Sequence, residues 1–390
     1  MSNLTPPRKI AVVTVGRSDY GIYRPVLRKL CAEPGVSLRL IVTGAHLSTE
    51  FGMTASEIER DGFDPEFLPV EMSIGSDSPQ AIAKSMGLGM IGLAQAYAGI
   101  RPDILVALGD RFEMHAAVAA TVPFRIPVAH IAGGALTLGA MDDALRHSIT
   151  KLSHLHFVET EVYGRRVVQM GEEPWRVTVS GAPALDNIRL LERLDWPSLN
   201  ERLSLHLNAP PVLLTLHPVT LEVEKTEEYT TELLAALDAF DIPMVFTYPN
   251  ADMHGRVIIR MLRDYAKRRS NVRVVENFGS STYMSLMSHA PAMVGNSSSG
   301  IVEAASFRLP VVDIGNRQRG RLAPANVIHC DFRRDEIIEG IRRAISEEFR
   351  RSIHDLINPY GDGSAAERIV KVLAGIPLND RLLTKEFHEP

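Results

Sequence analysis

The chain has 390 residues, 45 % hydrophobic and 23 % charged, with a net charge of −5; this is an ordinary globular composition, long enough for two domains, and it excludes a disordered or fibrous protein. The mild negative charge provides no general field to gather nucleic acid or an anionic membrane, and no segment offers the roughly 18 uninterrupted apolar residues of a membrane-spanning helix. The first residues lack the apolar stretch of a secretory signal, and the two cysteines, Cys31 and Cys330, are far apart in sequence; the expectation is a cytoplasmic protein with neither a disulfide framework nor a cysteine zinc site.

Short runs rich in Val and Ile recur between longer amphipathic stretches, the pattern of buried parallel strands alternating with helices. In the first half this predicts strands at 9–15, 38–43, 104–108, 128–131, 156–158 and 177–179, with helices at 79–98, 113–122, 142–151 and 162–170 between them. The pattern loosens through a charged stretch ending at Asn208-Ala-Pro-Pro211, where Pro punctuates a plausible boundary. It then restarts with strands at 212–216, 244–247, 272–275, 292–294 and 311–314 and helices at 226–238 and 255–267. The fold class is therefore α/β with two Rossmann-like, doubly wound lobes, expected at 1–185 and 186–375 with a tail at 376–390. A return of the last helix, 365–373, to the first lobe stays open. Ligands in such sheets bind beyond the carboxyl ends of the strands, so the loops there are where chemistry is sought.

After the first strand, Gly16-Arg17-Ser18-Asp19-Tyr20-Gly21 opens a helix without the Gly-x-Gly-x-x-Gly of a dinucleotide site. Arg17 stands where a guanidinium grips a phosphate with two prongs, or where a surface arginine sits at a cap. Gly109-Asp110-Arg111-Phe112-Glu113 places three charges just past a buried aliphatic run, which is costly unless a ligand or partner needs them. Asp110 is the better base candidate, although Asp110 and Glu113 also match a capping box. The glycine-rich loop from His130 through Gly133 and Gly134 reaches Asp142 and Asp143 at the next helix start, where a carboxylate serves proton transfer or capping. Arg146, His147, Thr150 and Lys151 share one face of that helix and suit an anion. His154 and His156 alternate into a strand with no third ligand of matching spacing, so no metal site is expected.

In the second lobe, His217 ends a strand and suits a phosphate donor or an acid, or is a satisfied strand-end histidine. Asn250 and Asp252 follow the next strand with further polar groups. The strongest signal is Gly295-Asn-Ser297-Ser298-Ser299-Gly300-Ile-Val-Glu303. Hydroxyls and free amides opening a helix form a receptor for a diphosphate. Glu303, one turn in, is placed to accept from both hydroxyls of a ribose, with Arg317 and Arg319 after the following strand closing an anion clamp.

These motifs, with Ser153-His-Leu-His156, His217-Pro-Val-Thr220 and Tyr360-Gly-Asp-Gly-Ser364, carry a resemblance over nearly the whole chain. The sequence is similar to the hydrolysing UDP-N-acetylglucosamine 2-epimerase family, including the epimerase domain of the bifunctional sialic-acid pathway enzyme. The resemblance implies a GT-B-like fold with its site in the interlobe cleft. It implies elimination of UDP and then hydration to the free 2-epimeric sugar, without redox cofactor or metal, in a sialic- or legionaminic-acid type pathway. By the same resemblance Asp110, Asp142, His217 and His46 are catalytic. Arg17, Asn250, Ser297, Ser298, Ser299, Glu303 and Arg317 go to the nucleotide, and Arg111, Glu113, Arg146, His147 and Thr150 to the rest of the substrate. A nucleotide sugar is the implied partner and a homodimer or homotetramer the implied assembly, with no nucleic acid or membrane. The family usually reads His-Ile-x-Gly-Gly followed by an acidic residue, often with Glu at x; here those positions are Ala132 and Ala135. That departure motivates an alternative, a nucleotide-sugar-binding relative with lost or altered activity, and the shared architecture a further one, a GT-B glycosyltransferase.

Overall fold

The computed structural model describes residues 6–48, 53–64, 66–76, 78–138, 141–249, 253–276 and 278–389. They divide into two compact units: residues 1–135, 141–187 and 360–390 form the first, and 136–140 with 188–359 the second. Residues 360–375 thus lie with the first unit rather than with the second, and the stretch beyond them belongs to that unit as well.

The first unit's strands are β1 (Arg8–Thr14), β2 (Val36–Thr43), β3 (Leu68–Val70), β4 (Ile104–Leu108), β5 (Val128–Ile131), β6 (Leu155–Val158) and β7 (Val177–Val179). Among the described residues they form a parallel sheet ordered β3-β2-β1-β4-β5-β6-β7. The central strands are buried on both faces, which is why they read as continuous apolar runs rather than alternating ones. One face packs Ile10, Val12, Val106 and Ile131 against Val26, Leu27 and Leu30 of the helix Arg17–Ala32. The other packs Ala11, Val13, Leu105 and Val128 against Leu93 and Tyr97 of the helix Pro79–Ile100.

The helix Ala365–Gly375 belongs to this unit because Ala366, Ile369, Val370 and Leu373, spaced for one helical face, enter the same core as Leu27 and Leu30. Beyond it Leu382 enters the same core, and polar contacts add to the hold. The buried Arg176 guanidinium donates to the carbonyls of Leu382 at 2.9 Å, Arg381 at 2.9 Å and Thr384 at 2.7 Å. Lys385 donates to Glu172 and to the Lys151 carbonyl.

The second unit repeats the plan with β8 (Val212–Thr215), β9 (Met244–Thr247), β10 (Val272–Val275), β11 (Met293–Gly295), β12 (Val311–Ile314) and β13 (Val327–Cys330), ordered β10-β9-β8-β11-β12-β13 and parallel. In each sheet the chain winds outward from its first strand on one side, then returns to build the other. In sheets of this kind the loops on either side of that switch, here those after β1 and β4 and those after β8 and β11, are where ligands bind.

Candidate active site

In the first unit the loops past β1, β2, β4 and β5 bring charged groups together. Gly44, just past β2, has φ +60, and a Cβ there would stand 2.8 Å from the Val15 carbonyl and 3.3 Å from Glu113 Oε1. A glycine is required for the turn and for the approach of that carboxylate. Glu113 is buried and pairs with Arg111 at 3.1 Å. Asp110 does not cap the helix Phe112–Ala119, whose N-cap position is Arg111 without a side-chain cap bond; its carboxylate accepts instead from the buried Arg146. Asp142, at the start of the helix Met141–Leu152, has its pKa raised by burial and by the charge of Asp110, against the pull of Arg111 and Arg146. The field at Arg111 comes from Glu113, Asp142 and Asp19. Asp110, Arg111, Glu113, Asp142 and Arg146 are therefore one cluster. Asp19 joins it and is the member that the sequence reading did not single out.

Other expected residues are placed differently. Thr150 is fully buried, its hydroxyl 3.2 Å from His130 Nδ1, so it lines the wall behind the glycine loop. His130 is held by Thr150 and by the Gly109 carbonyl, and burial lowers its pKa to about 3. His147 stands 3.7 Å from Asp143. Lys151 leaves the shared face for Glu172, which His156 of β6 also meets at 2.8 Å. Burial alone would raise Glu172; His156, Lys151 and Lys385 outweigh it and take its pKa to about 2. Among the described residues no group of three or more His, Cys, Asp or Glu side chains suits a metal. Arg17 is half exposed and pairs with Glu57 at 3.3 Å. His46 is buried in the turn Gly44–Leu47, and burial lowers its pKa to about 4. Ala132, with φ +65, and the buried Ala135 frame Gly133 and Gly134.

The second unit builds its site around Asn296. Gly295 ends β11 with φ +137, where a Cβ would lie 2.0 Å from the Thr215 carbonyl, so only glycine lets β11 and β8 approach this closely. The buried Asn296 side chain accepts from the His217 amide at 2.7 Å and donates to the His217 carbonyl at 2.9 Å. Its own carbonyl accepts from Arg317 at 3.0 Å and from Gln318 at 2.8 Å. One residue thus fixes the loops after β8, β11 and β12 relative to each other. Burial and then Arg317 lower the pKa of His217 to about 3, so its imidazole is neutral. Ser297 caps the helix Ser298–Val302 and accepts from the Ser299 amide, with Glu303 at the helix end.

A cavity of about 260 Å³ runs along the carboxyl ends of this sheet, lined by Thr215, Thr247, Tyr248, Glu276, Phe278, Gly279, Tyr283, Ser297 and Ser299. It joins two of the three expected serines to aromatic and acidic groups the sequence reading passed over, since Glu276, Phe278 and Tyr283 sit in no recognisable motif. Tyr283 is pushed up to about 12 by burial, although the hydroxyls of Thr215, Ser299 and Ser297 favour its ionised form. Asn250 lies outside the described residues.

Two parallel α/β units, each with polar groups gathered at its switch point, define the GT-B-like class of nucleotide-sugar proteins. The fold matches the crystal structure of UDP-GlcNAc 2-epimerase from Neisseria meningitidis bound to UDP-GlcNAc, with a TM-score of 0.81 at 19 % identity over 94 % of this chain and 99 % of that one. The family model for UDP-N-acetylglucosamine 2-epimerase matches residues 28–374, and the chain belongs to that family. It is 37 % identical to the GDP/UDP-N,N'-diacetylbacillosamine 2-epimerase (hydrolyzing) of Campylobacter jejuni, over 97 % of this chain and 98 % of that protein. It is 36 % identical to the UDP-N,N'-diacetylbacillosamine 2-epimerase (hydrolyzing) of Legionella pneumophila, with the same coverage.

Proposed function

We propose that the protein is a hydrolysing 2-epimerase whose substrate is a nucleoside diphosphate joined to a 2,4-diacetamido sugar of the diacetylbacillosamine type. The observation that carries this reading is the cluster of Asp110 and Asp142 with Arg111 and Arg146: two carboxylates, of which Asp142 is raised by burial and by the charge of Asp110, beside two fixed cations. Such pairs divide into an acid and a base. In the reaction the base takes the proton from carbon 2, the carbon 1 to oxygen bond breaks, and its electron pair leaves with the diphosphate. Water then adds its oxygen to carbon 1 of the unsaturated sugar while a proton returns to the opposite face of carbon 2.

Asp110 and Asp142 serve the proton transfers and His46 and His217 assist them. Arg111, Glu113, Arg146 and His147 hold the sugar end; Thr150 supports them through His130. Arg17, Ser297, Ser298, Ser299, Glu303 and Arg317 take the nucleotide, with Asn250 expected beside them. The apolar substitutions at Ala132 and Ala135 fit a sugar that carries acetamido and methyl groups where others carry hydroxyls. No described helix is long and apolar enough to cross a membrane, and we place the protein in the cytoplasm as a homodimer or homotetramer. Leu88 and Ile91 of the helix Pro79–Ile100, and Val122 and Phe124, are exposed apolar side chains that support self-association.

Incubation with the UDP- and GDP-linked diacetamido sugars and with UDP-GlcNAc in heavy water tests the reading. Release of free nucleotide and of a sugar with one deuterium at carbon 2 is expected, fastest for a diacetamido substrate. Unlabelled sugar, or none from any substrate, sinks it and leaves a relative that only binds nucleotide.

A further inference from the structure

The Asp19 carboxylate is 7 % exposed and belongs to a hydrogen-bonded chain that runs through Thr14 to His46, both fully buried. Asp19 Oδ2 accepts from the Val15 amide at 3.0 Å and from the Thr14 hydroxyl at 2.8 Å. The same Thr14 oxygen lies 2.9 Å from His46 Nε2, and His46 Nδ1 lies 2.7 Å from Thr54 Oγ1. Asp19 Oδ1 is buried and has no hydrogen-bond partner among the described residues.

A threonine hydroxyl carries one proton, which sets the direction of every bond in the chain. With Asp19 ionised, Thr14 donates to it and must accept from Nε2–H of His46, so Nδ1 accepts from Thr54. With a proton on Asp19 Oδ2, all the bonds reverse: Asp19 donates to Thr14, Thr14 to Nε2, and His46 donates from Nδ1 to Thr54.

We propose that Asp19, Thr14 and His46 form a proton relay for the epimerase site of the first unit, in which Asp19 is a positioning residue that sets the tautomer of His46 and stores the transferred proton. The proposal rests on the epimerase reading above. In one pass a proton enters at His46 Nδ1 from the Thr54 hydroxyl, which is reprotonated from solvent. Nε2–H passes to Thr14 Oγ1, and the Thr14 hydroxyl proton passes to Asp19 Oδ2. The imidazole ends neutral, the carboxyl ends neutral, and nothing is oxidised or reduced.

The surroundings suit the two end groups to these tasks. Burial raises Asp19 to about 6, against the bonds from Val15 and Thr14, so it exchanges a proton near neutrality. His46, lowered to about 4 by burial, conducts without holding a charge. Of the charged and titratable groups around the relay, Arg111 and Tyr23 feel the charge of Asp19, and Glu113 stands beside Gly44 at the start of the turn that holds His46. The Tyr20 ring meets His46 edge-on at 5.9 Å.

The test compares wild type with Asp19→Asn, Thr14→Val and Thr14→Ser in the full-length protein. Two things are read: kcat and KM against pH, and the His46 tautomer by ¹⁵N NMR of the ring nitrogens. In wild type an acid limb of kcat near pH 6 is expected, with His46 switching from Nδ1–H below it to Nε2–H above. Asp19→Asn and Thr14→Val should erase both the limb and the switch and lower kcat by about 10²-fold with KM little changed; Thr14→Ser should restore them. A loss of kcat with limb and switch intact means a structural role and overturns the relay. If wild type turns over no substrate, the epimerase reading fails, and the NMR switch still decides the relay: a tautomer indifferent to pH and to Asp19→Asn overturns it.

Discussion

The two units share a winding plan and differ in what they bury at its switch point. The first sets guanidinium groups beside carboxylates whose protonation is tuned: Asp19 is raised to about 6, and Asp142 is raised by burial and by Asp110. The second offers serine hydroxyls, the amide of Asn296 and a neutral His217, groups that change little between pH 5 and 8. Tuned carboxylates suit proton transfer. Fixed hydroxyls and amides suit the holding of a nucleotide. On the proposed reading the same fold thus sets most of the proton transfer in one unit and most of the nucleotide recognition in the other, by the residues at equivalent strand ends.

The sharpest way to break that division is to exchange the charge in the first unit. Asp142→Asn keeps the shape and removes the titrating group, and kcat should fall by about 10²- to 10⁴-fold with nucleotide affinity unchanged within about twofold. Steady-state kinetics and calorimetric titration with UDP check it. Equal losses in both would show that the first unit's carboxylates also carry the nucleotide. The converse change is Asn296→Ala, which frees the loops of His217 and Arg317 from their common anchor. UDP affinity should fall by about 10- to 100-fold, the effect of roughly two lost buried hydrogen bonds. Unaltered UDP binding would show that those loops hold their places without it.

A third change concerns stability in the first unit only. Arg176→Ala removes the guanidinium that holds the carbonyls of residues 381, 382 and 384, leaving buried acceptors without donors. A loss of about 3 kcal/mol is expected, since each orphaned buried group costs about 1–3 kcal/mol. Urea unfolding followed by separate probes in each unit should show the first transition moved and the second unmoved.

These contacts also mark the limit of what the sequence reveals. The central strands were legible because burial on both faces makes them apolar runs, and the observed bounds differ from the expected ones by a residue or two. Two edge strands were passed over. β3 is three residues long with Pro69 at its centre, tolerated only at an edge, and β13 contains His329 facing outward. The segment after Gly375 reads as a tail because it sends only Leu382, with Ile376 beside it, into the core and is otherwise held by backbone carbonyls meeting an arginine about two hundred residues earlier, which leaves no apolar period. The site divides the same way. Asp110 follows a strand end, where charge after an apolar run is conspicuous, and Asp142 opens a helix behind paired glycines. Thr14, Asp19 and Asn296 act by linking loops distant in the chain, so their importance lies in register that only the folded sheet supplies.

The smallest expected effect contrasts the ion pairs of the two units. In the first, Glu172 is held near 2, below its ordinary value, so its contribution to stability is present above about pH 4.5 and is lost as pH falls toward 2. In the second, His329 has its pKa raised by the hydrogen bond and charge of Asp313, against burial, across 2.9 Å. Its contribution therefore has the opposite sign: present in full below the unfolded value of about 6.5 and lost as pH rises through the raised folded value. The imidazole is half exposed, so solvent screens the pair, and His329→Gln should cost only about 0.5 kcal/mol at pH 5.5 and nothing at pH 8.5. Urea titrations of both proteins at the two pH values give the comparison. An equal cost at both would mean that the histidine stabilises the edge strand by packing rather than by its charge.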